Sequence, residues 1–199
     1  MDATNDGLSL LREDHRAMVE LFQQIEAVPR GIPADTEGMQ RKRKLFEQVS
    51  AALSRHAMAE EQLLYPLARR VLDGGDALAD HALAEHQQVK ETLVRLDGLS
   101  VDNLDFDGEI RSLMATIRDH VKEEENDLFP ALESRLTAGE LAELARDLER
   151  AERMAPTRPH PNAPNQPPFN VLAGAGVAVV DKARDALSGR GDIRPGSDE

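Results

Sequence analysis

Apolar residues recur at intervals of three and four positions along most of the chain, from about Gly7 to about Leu148. Clusters of Gly, Pro, Asp and Asn interrupt this pattern several times. Such spacing is typical of amphipathic helices separated by turns, so the chain is predicted to be all-α. The predicted helices run approximately from Leu8 to Val28, Met39 to Leu72, Ala79 to Gly98, Ile110 to Glu124 and Leu141 to Leu148.

Three local signals refine these predicted helices. Pro66 lies inside the second helix and predicts a kink there, because proline lacks an N–H and its ring crowds the preceding turn. Asp105 or Asp107 is the predicted cap of the fourth helix. Thr137 and Glu140 form the sequence signature of a capping box, which predicts the start of a short fifth helix.

The composition changes at the end of the helical part. The sequence from Pro156 to Pro168 is too rich in proline for a helix and predicts an extended linker. A short apolar run follows and predicts a weak amphipathic helix over about 170–187, either docked or loose. We therefore predict a helical domain over 1–152, a linker over 153–169, and a short helix with a disordered tail over 170–199.

Composition and charge restrict the kinds of metal site and binding partner that the chain can have. The 199 residues include no cysteine, so any metal site must use histidine and carboxylate ligands. A net charge of −13 disfavours binding to nucleic acid or to an anionic membrane. We see neither an apolar run long enough to cross a bilayer nor a secretory signal, and we therefore expect a cytoplasmic protein.

An internal repeat is the most informative feature of the sequence. The pattern H-x-x-x-E-E-x-x-L-aromatic-P occurs at residues 56–66 and again at 120–130. Upstream of each copy, Asp14-His15 matches Glu85-His86. Each half of the domain is therefore predicted to be a helix hairpin, with one histidine on its first helix and a histidine–glutamate pair on its second.

The histidines and glutamates of this repeat occupy positions where the apolar stripes would require Leu or Ile. Residues four apart share one helix face, so each histidine–glutamate pair can point at the same ion. The rise per residue lets all four helices bring these groups to one level. Buried carboxylates need compensating charge, which bound cations would supply. The predicted metal ligands are His15, His56, Glu60, His86, His120 and Glu124.

Five nearby residues are given other roles. Glu61 and Glu125 lie about 140° round the helix from the histidine of their repeat, which favours a solvated surface or a hydrogen bond outside the ligand set. His81 is expected at the surface rather than as a fifth histidine ligand. His160 lies in the linker and is not expected to bind metal. Tyr65 could line the site or hydrogen-bond a bound oxygen species, but as the single tyrosine beside an apolar run it is expected in the core.

The pattern of histidines and H-x-x-x-E pairs resembles the hemerythrin-like, or HHE cation-binding, family over roughly residues 7–135. The resemblance implies an antiparallel up-down-up-down four-helix bundle. It also implies two iron ions, cycling between Fe²⁺ and Fe³⁺, bridged by Glu60, Glu124 and an oxo or hydroxo group. The four histidines would complete the ligand set.

The sequence departs from the oxygen-carrying members of the family at one position. Those proteins have a fifth histidine ligand on the third helix, with H-x-x-x-H spacing, whereas position 82 here is Ala. That ligand is therefore missing, or is replaced by His81, a water or another group. A missing protein ligand leaves an open coordination position, which favours redox turnover or sensing over reversible carriage. A ferritin-like site is excluded, because the positions three residues before the histidines are Arg12, Leu53, Leu83 and Ile117.

These inferences favour a di-iron protein that binds or reacts with O₂, peroxide or nitric oxide, as a sensor, scavenger or carrier. A peroxide-consuming enzyme of catalase or peroxidase type is one alternative. An iron-storage or interaction protein that recruits a partner through its C-terminal tail is another. Manganese and zinc also suit histidine and carboxylate ligands, so the sequence leaves the metal open.

Overall fold

The computed structural model describes residues 6–29, 37–165, 178–182 and 184–185. All regular secondary structure within these ranges is helical, which confirms the predicted all-α class. The α-helices are α1 (Gly7–Ala27), α2 (Glu37–Ala59), α3 (Tyr65–Val71), α4 (Gly75–Asp97), α5 (Leu104–Glu123), α6 (Phe129–Glu133) and α7 (Ala138–Met154). Two π-helical turns, π1 (Glu60–Leu64) and π2 (Glu124–Leu128), join α2 to α3 and α5 to α6.

Side-chain caps fix the beginnings of several helices. The predicted capping box is confirmed at α7, where Thr137 and Glu140 bond to each other's backbone N–H groups. The predicted cap of α5 is wrong. Asn103 takes this role by accepting a hydrogen bond from the Asp105 N–H. Asp105 and Asp107 lie within the first turn instead, where their charge complements the positive end of the helix dipole.

Each π-helical turn immediately precedes a proline-containing turn of α-helix. The N–H of Tyr65 reaches the carbonyl of Glu60, and that of Phe129 reaches Glu124, five residues back in both cases. A proline inside an α-helix crowds the carbonyl four residues before it, and a wider turn relieves that contact. The chain therefore continues helically through Pro66 and Pro130, and the sequence repeat is also a backbone repeat.

The core consists of two apolar clusters with a polar layer between them. On α1, His15 lies between Leu11 in one cluster and Met18 in the other. The same transition occurs at His56, His86 and His120 on their own helices. The first cluster includes Met18, Phe22, Phe46, Leu53, Val89, Phe106 and Ile117, and the second includes Leu8, Leu11, Leu64, Leu83, Phe129, Leu144 and Leu148.

The fifth predicted helix, α7, covers the second cluster by packing against α1 and α2. Leu144 is 7% exposed and Leu148 is fully buried. A Cβ atom at Gly7 would lie 2.6 Å from Leu144 Cγ, so the two helices approach closely at this glycine. The helix ends at Met154, beyond the predicted end near Leu148.

Residues 156–165 contain turns and bends without helix. The backbone is helical at 178–182 and 184–185, and the rest of the predicted terminal helix lies outside the described residues. Asp181 accepts hydrogen bonds from the Arg158 N–H and the His160 ring, which attach this short segment to the linker. The predicted boundaries at 152 and 169 remain predictions. Among the described helices, none is both long and apolar enough to cross a membrane.

Candidate metal centre

The structure brings all six predicted ligand residues into the polar layer between the two apolar clusters. Each is buried, with between 0% and 5% of its surface exposed. Their nitrogen and oxygen atoms form two groups that share Glu60, and the atoms of each group lie within 4.8 Å of one another. The first group is His15, His56, Glu60 and Glu124, and the second is Glu60, His86 and His120.

The histidines face each other in pairs through their Nε2 atoms. The two Nε2 atoms are 3.1 Å apart between His15 and His56, and 3.2 Å apart between His86 and His120. Each ring turns its other nitrogen, Nδ1, toward a carboxylate. The Nδ1-to-oxygen distances are 2.9 Å for His15 to Glu125, 3.6 Å for His56 to Asp14, 3.1 Å for His86 to Glu61 and 2.7 Å for His120 to Glu85.

This arrangement fixes the chemistry of the rings. At His15, His86 and His120 the carboxylate lies within hydrogen-bond distance of Nδ1 and accepts its hydrogen, so the neutral ring presents a bare Nε2 lone pair to the interior. Two lone pairs about 3 Å apart repel each other unless a positive charge lies between them. Metal–nitrogen bonds are ~2.1 Å long, so two nitrogens in adjacent ligand positions of one ion lie about 3 Å apart. The paired rings therefore fit a metal ion.

The two central carboxylates each face histidines from both halves of the repeat. Glu60 oxygens lie 3.1 Å from His56 Nε2 and 3.4 Å from His86 Nε2. Glu124 Oε2 lies 3.4 Å from His15 Nε2 and 3.7 Å from His120 Nε2. Glu60 Oε1 and Glu124 Oε2 are buried without a hydrogen-bond partner. Such uncompensated oxygens are costly in a core, and a shared cation would remove the cost.

Without a metal, protons would supply the missing positive charge. Burial acts to lower the pKa of His56, but the Glu60 carboxylate and Asp14 outweigh it and hold the pKa well above its usual value. Burial likewise opposes protonation of His86, yet hydrogen bonds to Glu60 and Glu61 raise its pKa to about 9. Burial acts to raise the pKa of Glu60, and the charge of His56 reverses this to a strongly lowered value.

Tyr65 contributes to the apolar core, as expected, and also to this candidate site, which was the alternative that the sequence left open. Its side chain is 1% exposed and packs in the second cluster, but the hydroxyl group enters the polar layer. The hydroxyl oxygen lies 3.0 Å from His86 Nε2 and donates to Glu124 Oε1 at 3.0 Å. Burial, followed by the charges of Glu124 and Glu60, raises the pKa of Tyr65 well above its usual value, so the phenol keeps its proton.

The second glutamate of each repeat forms a hydrogen bond with the Nδ1 atom of a histidine. A hydrogen bond outside the ligand set was one of the two roles expected for it, and a solvated surface position was the other. Glu125 accepts from His15 and Glu61 accepts from His86. Glu61 is 1% exposed, however, and a solvated surface position is therefore wrong for it. It also forms an ion pair with Lys90, which the sequence pattern did not predict. The only signal was the helical spacing of four residues between His86 and Lys90.

The two remaining histidines lie apart from the centre. The His81 side chain is 61% exposed and contacts Glu85 and Glu123, which confirms the predicted surface position. His160 bonds to Asp181 in the C-terminal segment, away from the six buried residues. Neither residue belongs to the two buried groups.

Comparison with known proteins gives a consistent set of relatives. The family model described as the hemerythrin HHE cation binding domain matches residues 6–132. An uncharacterized hemerythrin-like protein from Schizosaccharomyces pombe is 32% identical over 176 residues, covering 88% of this chain and 83% of that protein. A protein named DNA nickase from Nostoc is 27% identical over 143 residues, covering 72% of this chain but 38% of that protein.

A solved structure also matches the fold. It is the crystal structure of a hemerythrin HHE cation binding domain-containing protein from Mycobacterium kansasii. The TM-score is 0.61 with 26% sequence identity, and the match covers 74% of this chain and 85% of that one. The helical arrangement around the candidate centre is therefore similar to that of a cation-binding domain.

Proposed function

Because this chain belongs to the hemerythrin HHE cation-binding family, we propose that it is a non-haem di-iron protein that binds or reacts with O₂, peroxide or nitric oxide. In this proposal the long helical segments form an up-down-up-down four-helix bundle around the centre. The observation that carries the proposal is the pairing of bare Nε2 atoms, 3.1 and 3.2 Å apart, around buried carboxylates that lack hydrogen-bond partners.

The proposed ligands follow from the two buried groups. His15 and His56 would hold one ion and His86 and His120 the other, with Glu60 between them. Glu124 faces His15 and His120 and would be the second bridging carboxylate. Imidazole and carboxylate ligands suit iron, and two irons would supply reversible electron transfer to a bound oxidant or diatomic ligand.

The surrounding residues would hold this centre in place and exclude water. The carboxylates hydrogen-bonded to Nδ1 of His15, His86 and His120 orient these rings and keep Nε2 available to a metal. Tyr65 orients Glu124 and carries a proton beside His86. The apolar clusters on both sides leave the six ligand residues at most 5% exposed. A centre so enclosed suits a small ligand better than a large substrate.

A peroxide-consuming activity is a second candidate, and the position of Tyr65 favours it. Its hydroxyl group lies 3.0 Å from both His86 Nε2 and a Glu124 oxygen, so a protonated donor stands beside the proposed metals. Cleavage of peroxide requires proton delivery to the departing oxygen, which a positioned donor can provide. Sustained O₂ release from hydrogen peroxide would support this activity, whereas a single stoichiometric oxidation of the protein would contradict it.

We do not propose a DNA-nicking activity for this chain on the basis of its similarity to the Nostoc protein named DNA nickase. The match covers 38% of that protein, so most of its length has no counterpart here. The net charge of −13 also opposes approach to a polyanion.

Metal analysis combined with optical spectroscopy tests the proposed function directly. The purified protein should contain two irons per chain, and its ferric form should show a charge-transfer spectrum that changes on adding azide, peroxide or nitric oxide. Reduction should bleach the spectrum and exposure to O₂ should restore it. A colourless protein with a single zinc ion would contradict the proposal.

A further inference from the structure

The two halves of the candidate centre differ in the charge behind one histidine. By the sequence repeat, Glu61 in the first half corresponds to Glu125 in the second. Each of these carboxylates lies behind the histidine of the opposite half, at 3.1 Å from His86 Nδ1 and 2.9 Å from His15 Nδ1. The two carboxylates are therefore equivalent in their direct contact with a ring.

Only one of the two carboxylates is neutralised by a cation. The Lys90 ammonium group lies 2.7 and 2.9 Å from the two oxygens of Glu61. The Lys90 side chain is 13% exposed and that of Glu61 is fully buried, so solvent screens this pair weakly. Together they present no net charge behind His86.

Glu125 has a different environment. Within the described part of the chain it forms no ion pair with Lys or Arg, and His15 is its ion-pair partner. Lys90 lies four residues after His86, and the residue four positions after His15 is Val19. The repeat therefore places an apolar residue where the other half has an ammonium group. Glu125 is 35% exposed in its side chain, which weakens but does not cancel its field at His15.

The two remaining carboxylates differ in how closely they approach a ring. Asp14 lies behind His56 and Glu85 behind His120, one in each histidine pair. Glu85 lies 2.7 Å from His120 Nδ1, whereas Asp14 lies 3.6 Å from His56 Nδ1, beyond hydrogen-bond distance. This contact opposes the effect of Lys90 at the rings, but within the described residues neither carboxylate forms an ion pair with a lysine. His81 and Glu123 adjoin Glu85, but their side chains are 61% and 53% exposed, so solvent screens both. The His15–His56 pair thus has two flanking carboxylates without a lysine partner, and the His86–His120 pair has one.

We propose that the two cation positions are inequivalent, and that Lys90 makes the His86–His120 position the weaker one, so that the His15–His56 position binds the first divalent cation. This inference rests on the proposed two-metal function. A carboxylate hydrogen-bonded to Nδ1 makes the ring a stronger ligand, and a lysine on that carboxylate reduces the effect. The ammonium charge also repels a cation directly, across an interior that screens charge poorly.

Stepwise binding of Co²⁺ to the metal-free protein tests the order without iron or oxygen chemistry. Calorimetry at pH 8 should resolve two dissociation constants that differ by about tenfold or more. His15→Ala should remove the tighter step and His86→Ala the weaker one. The reverse assignment, or two equal constants in the unaltered protein, would overturn the proposal.

Two reciprocal charge variants test the role of Lys90. Lys90→Gln should strengthen the weaker step, because Glu61 loses its neutralising charge while the amide still donates a hydrogen bond to it. Val19→Lys should weaken the tighter step by placing an ammonium group near Glu125. Each variant should reduce the ratio of the two constants by about tenfold. Lys44→Gln is the matched control, because Lys44 is exposed on α2, twelve residues before His56, and should leave both constants unchanged.

Circular dichroism and thermal unfolding of every variant establish that it is folded before its constants are compared. An unchanged ratio in either Lys90→Gln or Val19→Lys would overturn the role of Lys90. Two Co²⁺ steps of the predicted order, in a protein that gives no optical response with iron, would sustain this inference while contradicting the proposed function. Two irons with the expected spectrum, but Co²⁺ constants insensitive to Lys90, would support the proposed function while contradicting this inference.

Discussion

Each histidine of the candidate centre uses its two ring nitrogens for different partners. Nε2 faces another Nε2 and a central carboxylate, whereas Nδ1 faces a carboxylate on a neighbouring helix. Removing one ring therefore has two consequences. It removes a metal ligand, and it leaves the central carboxylates with less compensating charge in a buried layer.

Alanine substitutions of the histidines should separate ligands from bystanders. His56→Ala and His120→Ala should lower the iron content severely, because each removes a ligand and weakens the support of Glu60 or Glu124. His160→Ala is the matched control, since His160 bonds to Asp181 outside the centre. The measurement is metal content per folded chain. Equal losses in all three variants would contradict the assignment.

The carboxyl group of Glu152 on α7 should make the stability of the folded protein depend on pH. Burial, together with the charge of Asp14, raises the pKa of Glu152 to about 8. The folded protein thus holds a proton that the unfolded chain releases near pH 4.5, and stability should fall as the pH rises from 4.5 through 8. Glu152→Gln mimics the protonated form and should remove this loss, with each pKa unit worth ~1.4 kcal/mol.

Chemical denaturation of the metal-free protein at pH 6 and pH 9 measures this effect. The stabilisation by Glu152→Gln should be larger at pH 9 than at pH 6. Glu143→Gln is a suitable control, because Glu143 lies on the same helix with an exposed side chain. Equal effects of both substitutions at both pH values would refute the role given to Glu152.

Among the secondary-structure elements, the long helices and the polar layer between the apolar clusters were predictable from the sequence, but the π-helical turns were not. Periodicity located every long helix, because an apolar stripe on each faces the core. Ideal α-helical phase then placed Glu61 about 140° from His56. The π turn Glu60–Leu64 inserts an extra residue at this point and changes the helical phase of the residues within and beyond it. Glu61 itself is buried because it faces α4, where it contacts His86 and Lys90.

Tyr65 directly follows the same π turn, and the sequence favoured the core for it while leaving a role in the site open. Its neighbours in sequence are apolar, so pattern alone placed it in the core. The packing does bury its ring, but the wider turn directs the hydroxyl group at His86 and Glu124. The usable signal was the proline that comes after a paired Glu-Glu in both copies of the repeat, because a conventional α-helix accommodates that proline poorly.

Two helix glycines give a matched test of close packing between elements. A Cβ atom at Gly75, the first residue of α4, would lie 2.1 Å from the backbone carbonyl oxygen of Ala68 on α3. Backbone cannot move aside easily, so Gly75→Ala should destabilise the protein by about 1–3 kcal/mol. A Cβ atom at Gly108 on α5 would have no neighbouring atom within 4 Å. Gly108→Ala should stabilise by about 0.5–1 kcal/mol.

Denaturant unfolding of the two glycine variants provides the measurement. The two substitutions have the same effect on the unfolded chain, so any difference between them comes from packing in the folded protein. Opposite signs of the change in unfolding free energy are therefore expected. Destabilisation by both would show that helix packing near Gly108 is tighter than the structure indicates. Stabilisation by both would show that the α3–α4 junction can relax around a methyl group.

For the whole molecule, the packed helical structure extends beyond the part that matches the family. The match ends at residue 132, whereas α7 spans Ala138–Met154 and packs against α1 and α2. Leu144 and Leu148 belong to the second apolar cluster, which also contains Leu8, Leu11 and Phe129. That cluster closes one side of the polar layer. Helix α7 therefore protects the candidate centre from solvent although it supplies none of its proposed ligands.

Truncation should separate this contribution from that of the C-terminal extension. Removing residues 136–199 exposes the second cluster and takes away two buried leucines, which contribute roughly 3–6 kcal/mol together. The truncated protein should unfold at lower denaturant concentration and lose iron faster to a chelator. Removing only residues 166–199 should leave both properties close to those of the full chain, since α7 remains on the cluster. Equal chelator rates for the two truncated proteins would show that α7 does not shield the centre.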